Sequence, residues 1–129
     1  MARELKRILA VDDEAFIREL LVDFLTFDGY DVAAAENGED ALKIIEEMKP
    51  HLVIMDIKMP GLSGLEVLRQ IKATHKDIGV IMLSAFGDSA TIQEARSLGA
   101  DFYLQKPVDL RRLKEMLRTW KETSDRGIE

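Results

Sequence analysis

Leu52-Val53-Ile54-Met55-Asp56 is an unbroken apolar run that stops on a carboxylate. Consecutive apolar residues without polar alternation predict a strand buried on both faces, the kind found in the middle of a parallel sheet. Pro50 lies just before it and closes the preceding helical segment. Pro60, Gly61 and Gly64 come after it and mark a loop. Moving outward in both directions, the same unit recurs. Toward the N-terminus, Ile8-Leu9-Ala10-Val11 is a second such run, ending at Asp12-Asp13, and Tyr30 to Ala35 is a weaker strand. Toward the C-terminus, Ile78 to Leu83 ends at Ser84, and Phe102 to Leu104 is followed by Lys106-Pro107.

The intervening segments carry the helical period. Phe16, Ile17, Leu20, Leu21, Phe24 and Leu25 fall at helical spacing over Ala15 to Phe27, and Gly29 fits a helix stop. Asn37 is a candidate cap for a helix whose apolar face holds Ala41, Leu42, Ile44, Ile45 and Met48. Ser63-Gly64-Leu65-Glu66 matches a capping box opening a helix through Leu65, Leu68 and Ile71. Ser89 to Leu98 reads as a short helix, with Gly99 at its left-handed end. Asp109 to Trp120 is amphipathic. Strict strand–helix alternation predicts an α/β fold, a single doubly wound parallel sheet of five strands with helices on both faces. Such sheets bind ligands beyond the carboxyl ends of their strands.

Composition bounds the rest. The chain has 129 residues, 47% hydrophobic and 33% charged, which suits one soluble domain. Residues 1–121 are expected to form it, with 122–129 a polar tail or the start of a linker. There is no cysteine, so disulfides and thiolate metal sites are excluded. A net charge of -6 argues against direct nucleic-acid binding, which needs clustered Lys and Arg. No h-region follows the N-terminal residues, and no apolar stretch approaches the roughly 20 residues of a membrane span. The expected location is cytoplasmic, with no membrane partner.

The chemistry lies where the strands end. Asp12 and Asp13, Asp56, Ser84 and Lys106 should converge on one rim. Carboxylates so close repel one another, and a bound divalent cation would offset that. Mg²⁺ prefers a few carboxylates together with waters and phosphate oxygens. Lys106 adds a cation and Ser84 a hydroxyl donor, completing a site for a tetrahedral anion beside a carboxylate. A carboxylate can itself be the nucleophile that forms an aspartyl phosphate, while the metal and the lysine neutralise charge on the transferring oxygens.

Val11-Asp12-Asp13-Glu14, Met55-Asp56-Ile57-Lys58-Met59-Pro60-Gly61, Leu83-Ser84-Ala85 and Lys106-Pro107, in this order at strand ends, resemble the motifs of response-regulator receiver domains of two-component signalling. The resemblance runs from about Lys6 to Trp120. It implies a flavodoxin-like (βα)5 topology with strand order 2-1-3-4-5. It implies Asp56 as phosphoacceptor, with catalytic roles for Asp56, Lys106 and Ser84. It also implies Mg²⁺ or Mn²⁺ held by Asp12, Asp13, Asp56 and the backbone carbonyl of Lys58. Ser84 and Tyr103 would be the switch pair, and Pro107 would follow a cis peptide bond. The implied partners are a sensor histidine kinase or histidine phosphotransfer protein and a downstream protein or output domain. Because a donor histidine must come within reach of Asp56, docking is expected near the N-terminus of the first helix, where Phe16, Ile17 and Leu20 offer apolar material. Such a chain is not an enzyme beyond its own phosphorylation and dephosphorylation. The positions two beyond Asp56 and Ser84 are Lys58 and Phe86. Neither can orient a water as an acceptor, so the phosphorylated state is expected to be long-lived.

Each residue taken alone has a plainer role. Asp12-Asp13 could cap the first helix, Ser84 could be a turn residue, and Tyr103 could be half-buried core. Met55 and Met59 read as packing, His51 and His75 as surface residues, and Arg111-Arg112-Lys114 as a solvated helix face. A phosphatase of the haloacid-dehalogenase type would need Asp-x-Asp after the first strand, which Asp12-Asp13-Glu14 does not supply. A flavodoxin-like electron carrier would need a Ser/Thr-rich phosphate loop there. An inactive pseudo-receiver would lack an acid or the lysine, and none is missing.

Overall fold

Two strands, β3 (Leu52–Asp56) and β4 (Gly79–Ser84), are buried at every position. Only a central strand with helices on both faces has no wet side, and these two are central. The computed structural model describes residues 3–85 and 89–123. Its sheet is completed by β1 (Arg7–Val11), β2 (Asp31–Ala35) and β5 (Phe102–Gln105), all parallel, in the order β2-β1-β3-β4-β5. The expected topology is therefore the observed one.

The helices are α1 (Ala15–Phe27), α2 (Gly38–Met48), α3 (Gly64–Thr74), α4 (Ser89–Ser97) and α5 (Leu110–Glu122). Strand alternation divides the core in two. Leu9, Val11, Val53, Met55, Val80 and Met82 face α2, α3 and α4. Ile8, Ala10, Leu52, Ile54, Ile81 and Leu83 face α1 and α5. Register brings the carboxyl ends of the strands level. Val11 pairs with Met55, Asp56 with Leu83 and Ser84 with Gln105, so the residues at or just past these ends share one rim.

Helix ends follow local chemistry. Asn37 Oδ1 accepts from Asp40 N–H at 2.8 Å, and Asp109 Oδ1 accepts from Arg111 and Arg112 N–H at 3.0 and 3.3 Å. Gly29 and Gly99, with φ of 97° and 105°, follow α1 and α4 in the left-handed region, as expected. The α2 terminus was not foreseen: Lys49 takes φ of 53° without being glycine. Arg7 holds it there, its guanidinium donating to the Met48 carbonyl at 3.0 Å and to the Lys49 carbonyl at 2.9 Å.

Other expectations need correction. Only half of the Ser63–Glu66 box forms: Ser63 Oγ accepts from Glu66 N–H at 3.2 Å, but the Glu66 carboxylate turns to Arg69 and Gln70. His51 is not a plain surface residue. Its Nδ1 accepts from the backbone N–H of Lys6 and Arg7 at 3.2 and 3.1 Å, so its proton sits on Nε2, which faces Glu4 Oε1 at 3.2 Å. It thereby ties the approach to β1 onto the start of β3. His75 pairs with Glu46 at 2.7 Å, joining α3 to α2. Met55 and Met59 are buried, and Arg111, Arg112 and Lys114 are exposed, as read.

Gly79 opens β4 directly against the indole of Trp120, which is only 4% exposed. A Cβ there would lie 2.5 Å from the indole Nε1. A rigid, enclosed ring cannot swing clear. Gly79→Ala is therefore expected to destabilise the domain by about 1–3 kcal/mol through overpacking. The check is urea unfolding, with a lower midpoint at an unchanged slope. A midpoint equal to wild type would show that the indole yields freely.

Candidate functional site at the carboxyl rim

Asp12 directly follows β1 and is fully buried; its Oδ1 accepts from Glu14 N–H at 2.9 Å. Neither Asp12 nor Asp13 caps α1. The N-cap is Glu14, which makes no side-chain cap bond. Asp13, beside Asp12, is exposed. Asp56 closes β3 and is buried, its Oδ1 accepting from Lys58 N–H at 3.3 Å. Single ligand oxygens of Asp12, Asp13 and Asp56 lie within 4.8 Å of one another.

Lys106 reaches this group from beyond β5. Its backbone N–H donates to the Ser84 carbonyl at 2.8 Å, and the Lys106–Pro107 bond is cis. Its Nζ lies 3.2 Å from Asp56 Oδ2 and 2.8 Å from Glu14 Oε1, both hydrogen bonds. Asp12 Oδ2 is 3.0 Å away, in ion-pair contact but outside hydrogen-bond geometry, and this buried oxygen accepts no hydrogen bond from the described residues.

These contacts set the electrostatics. Burial raises the Asp56 pKa above the usual carboxylate range, the charge of Asp12 adds to the rise, and Lys106 opposes it. For Lys106 burial works against the charged form, but Glu14, Asp12 and Asp56 outweigh it and keep the ammonium charged well above its ordinary range. The lysine thus neutralises only part of the carboxylate charge. An all-oxygen donor set and a buried Asp12 oxygen without a donor fit a hard divalent cation. Burying such an oxygen with no hydrogen-bond donor is costly, and a bound cation would offset what the ion pair with Lys106 leaves.

Ser84 is buried at the end of β4, and its Oγ has no hydrogen-bond partner among the described residues. It is a strand residue, not a turn residue. Tyr103 is not half-buried core. It is 39% exposed, with the Arg96 guanidinium 5.4 Å from its ring centroid. Lys58 is exposed next to Asp56, and Phe86 lies outside the described residues. Two contacts at the rim were not anticipated. Glu14, in the sequence only a member of the Val11–Glu14 motif, meets Lys106, and Arg18 donates to the Asp12 backbone carbonyl at 2.8 Å. The only sequence signal for either is position: Glu14 follows Asp13 directly as the N-cap, and Arg18 lies at the end of the first turn of α1. Phe16, in that same turn, is 74% exposed, whereas Ile17 and Leu20 are half-buried. No helix of the described residues is long and apolar enough to cross a membrane.

Residues 8–118 match the family described as the response regulator receiver domain. The chain is 36% identical over 115 residues to sporulation initiation phosphotransferase F of Bacillus subtilis, covering 89% of this chain and 93% of that one. It is 40% identical to the chemotaxis protein CheY of Thermotoga maritima, covering 87% and 94%. Against response regulator RR06 of Streptococcus pneumoniae it is 41% identical, covering 88% of this chain but 54% of that longer protein. Among solved structures, the receiver domain of NtrX from Brucella abortus superposes with a TM-score of 0.85 at 36% identity, covering 91% and 99%. With the sheet order, the rim and these likenesses in agreement, the chain belongs to the response-regulator receiver family.

Proposed function

We propose that Asp56 accepts a phosphoryl group in a cation-dependent reaction, and that residues 1–121 act as the receiver unit of a two-component or phosphorelay system, with 122–129 a tail or linker. The observation that carries this reading is the pairing of Lys106 Nζ with Asp56 Oδ2 at 3.2 Å beside an oxygen-only acidic cluster. An Asp56 oxygen attacks phosphorus as the bond from phosphorus to the donor's imidazole nitrogen, or to the acetate oxygen of acetyl phosphate, breaks. The electron pair leaves with the donor group. Lys106 offsets charge on the phosphoryl oxygens. Asp12, Asp13, Asp56 and the Lys58 carbonyl would hold Mg²⁺ or Mn²⁺, which when bound supplies further neutralisation of those oxygens.

The buried, unpartnered Ser84 hydroxyl supports a switching role, because a phosphoryl oxygen would give it the acceptor it lacks. Ser84 moves toward the phosphoryl group and Tyr103 turns inward, giving the two-state element that a switch requires. The donor is a histidine kinase or a phosphotransfer protein in the cytoplasm, and the recipient is an output protein or domain. The protein performs only its own phosphorylation and dephosphorylation.

Two predictions test this reading. Incubated with acetyl phosphate and MgCl2, wild-type protein should gain one phosphoryl adduct by intact mass. Asp56→Asn should gain none and Asp13→Ala almost none; an undiminished adduct on Asp56→Asn would exclude Asp56 as acceptor. Separately, MgCl2 should raise the melting temperature. At tenfold above Kd the gain is about 1.4 kcal/mol, or roughly 3–6 °C, measured against NaCl of equal ionic strength. Asp12→Ala and Asp13→Ala should each lose most of it. A full gain in both variants would place the cation elsewhere.

A further inference from the structure

Lys106 Nζ has three protons, and three carboxylates surround it: Glu14 at 2.8 Å, Asp12 at 3.0 Å and Asp56 at 3.2 Å. Glu14 and Asp56 take two of those protons in hydrogen bonds and Asp12 adds its charge, so a new anion that reaches Nζ competes with all three. The three are not equally replaceable. The Asp12 side chain is fully buried and held by the Glu14 N–H, and Asp56 is itself the proposed acceptor. Glu14 has the shortest contact but a side chain 60% exposed, and it makes no cap bond to α1. It can turn into water at little cost.

Resting on the reading of Asp56 as acceptor, we propose that Glu14 is a positioning residue that straps Lys106 in the unphosphorylated protein and is exchanged for the phosphoryl group. The strap acts only on the resting state. An interaction made in the ground state and lost on the way to the transition state slows the step. The contact belongs to an exposed group and is therefore modest and screened by salt. Removing it should speed phosphorylation of Asp56 by a small factor and loosen Lys106 beforehand.

The test uses the full chain and two variants. Glu14→Gln removes the charge. Glu14→Asp keeps the charge, but it is shorter and sits at an N-cap, where Asp turns to its own helix N–H groups. With acetyl phosphate and MgCl2 at low ionic strength, both variants should take up the phosphoryl group about two- to fivefold faster than wild type, a gain matched to an exposed ion pair. Added NaCl should narrow the difference. Faster labelling of Glu14→Gln with Glu14→Asp at the wild-type rate would mean that only charge near an anionic donor matters, and would overturn the strap. Equal or slower labelling in both variants would overturn it too.

A second readout does not depend on phosphorylation. The ¹H–¹⁵N signal of the Lys106 ammonium, without added divalent cation, should exchange with water several-fold faster in both variants. Unchanged exchange overturns the strap whatever the labelling rates. Should wild type take up no phosphoryl group at all, the acceptor reading fails, while this exchange measurement still decides the strap.

Discussion

Carboxylate crowding at the carboxyl rim, only partly neutralised by Lys106, is the constraint on which the rest of this structure depends. Asp12 and Asp56 are buried at the ends of neighbouring strands, an arrangement that costs stability unless charge is balanced. The raised pKa of Asp56 expresses that cost. The fold tolerates it because β1, β3 and β4 are apolar at nearly every other position and are covered on both faces. A sheet so thoroughly buried can carry one unfavourable edge, and functional sites are where local rules are expected to be broken.

Most of this was legible in the sequence, for identifiable reasons. Central strands were plain because a strand with no wet side cannot afford polar alternation, as Leu52 to Met55 shows. Edge strands were harder. β2, Asp-Val-Ala-Ala-Ala, and β5, Phe-Tyr-Leu-Gln, are only partly buried, and their boundaries shifted by a residue. The rim residues were legible because topology alone sends the residues at or just past parallel strand ends to one side.

What stayed hidden depends on side-chain direction, which no periodicity records. Glu14 and Lys106 are 92 residues apart in sequence, and nothing local links them. His51 looked like a surface residue because its role is to accept two backbone N–H groups from a different strand's approach. The Ser63–Glu66 motif had the right residues, but Arg69 and Gln70 one turn on offered Glu66 better partners than a helix end. Tyr103 sits on an edge strand, where an aromatic ring can lie outward under Arg96 as readily as inward.

The same electrostatics explain why such a rim suits a switch better than a store of charge. A phosphoryl group on Asp56 would replace one negative charge by about two, increasing both the burial cost and the repulsion from Asp12 that already raise the Asp56 pKa. The added charge can be balanced only by groups able to come closer: a cation, the Lys106 ammonium and hydroxyl or amide donors. Lys106 is already engaged by three carboxylates, and Ser84 Oγ is buried with its hydrogen bonding unmet among the described residues. Balancing the new charge would therefore draw on the ends of β1, β4 and β5 together, with Lys106 exchanging a carboxylate and Ser84 gaining an acceptor. Because Lys106 is bonded through its backbone to Ser84, and Tyr103 pairs with Met82 on the adjoining strands, an exchange at the rim is mechanically continuous with β5 and its exposed face.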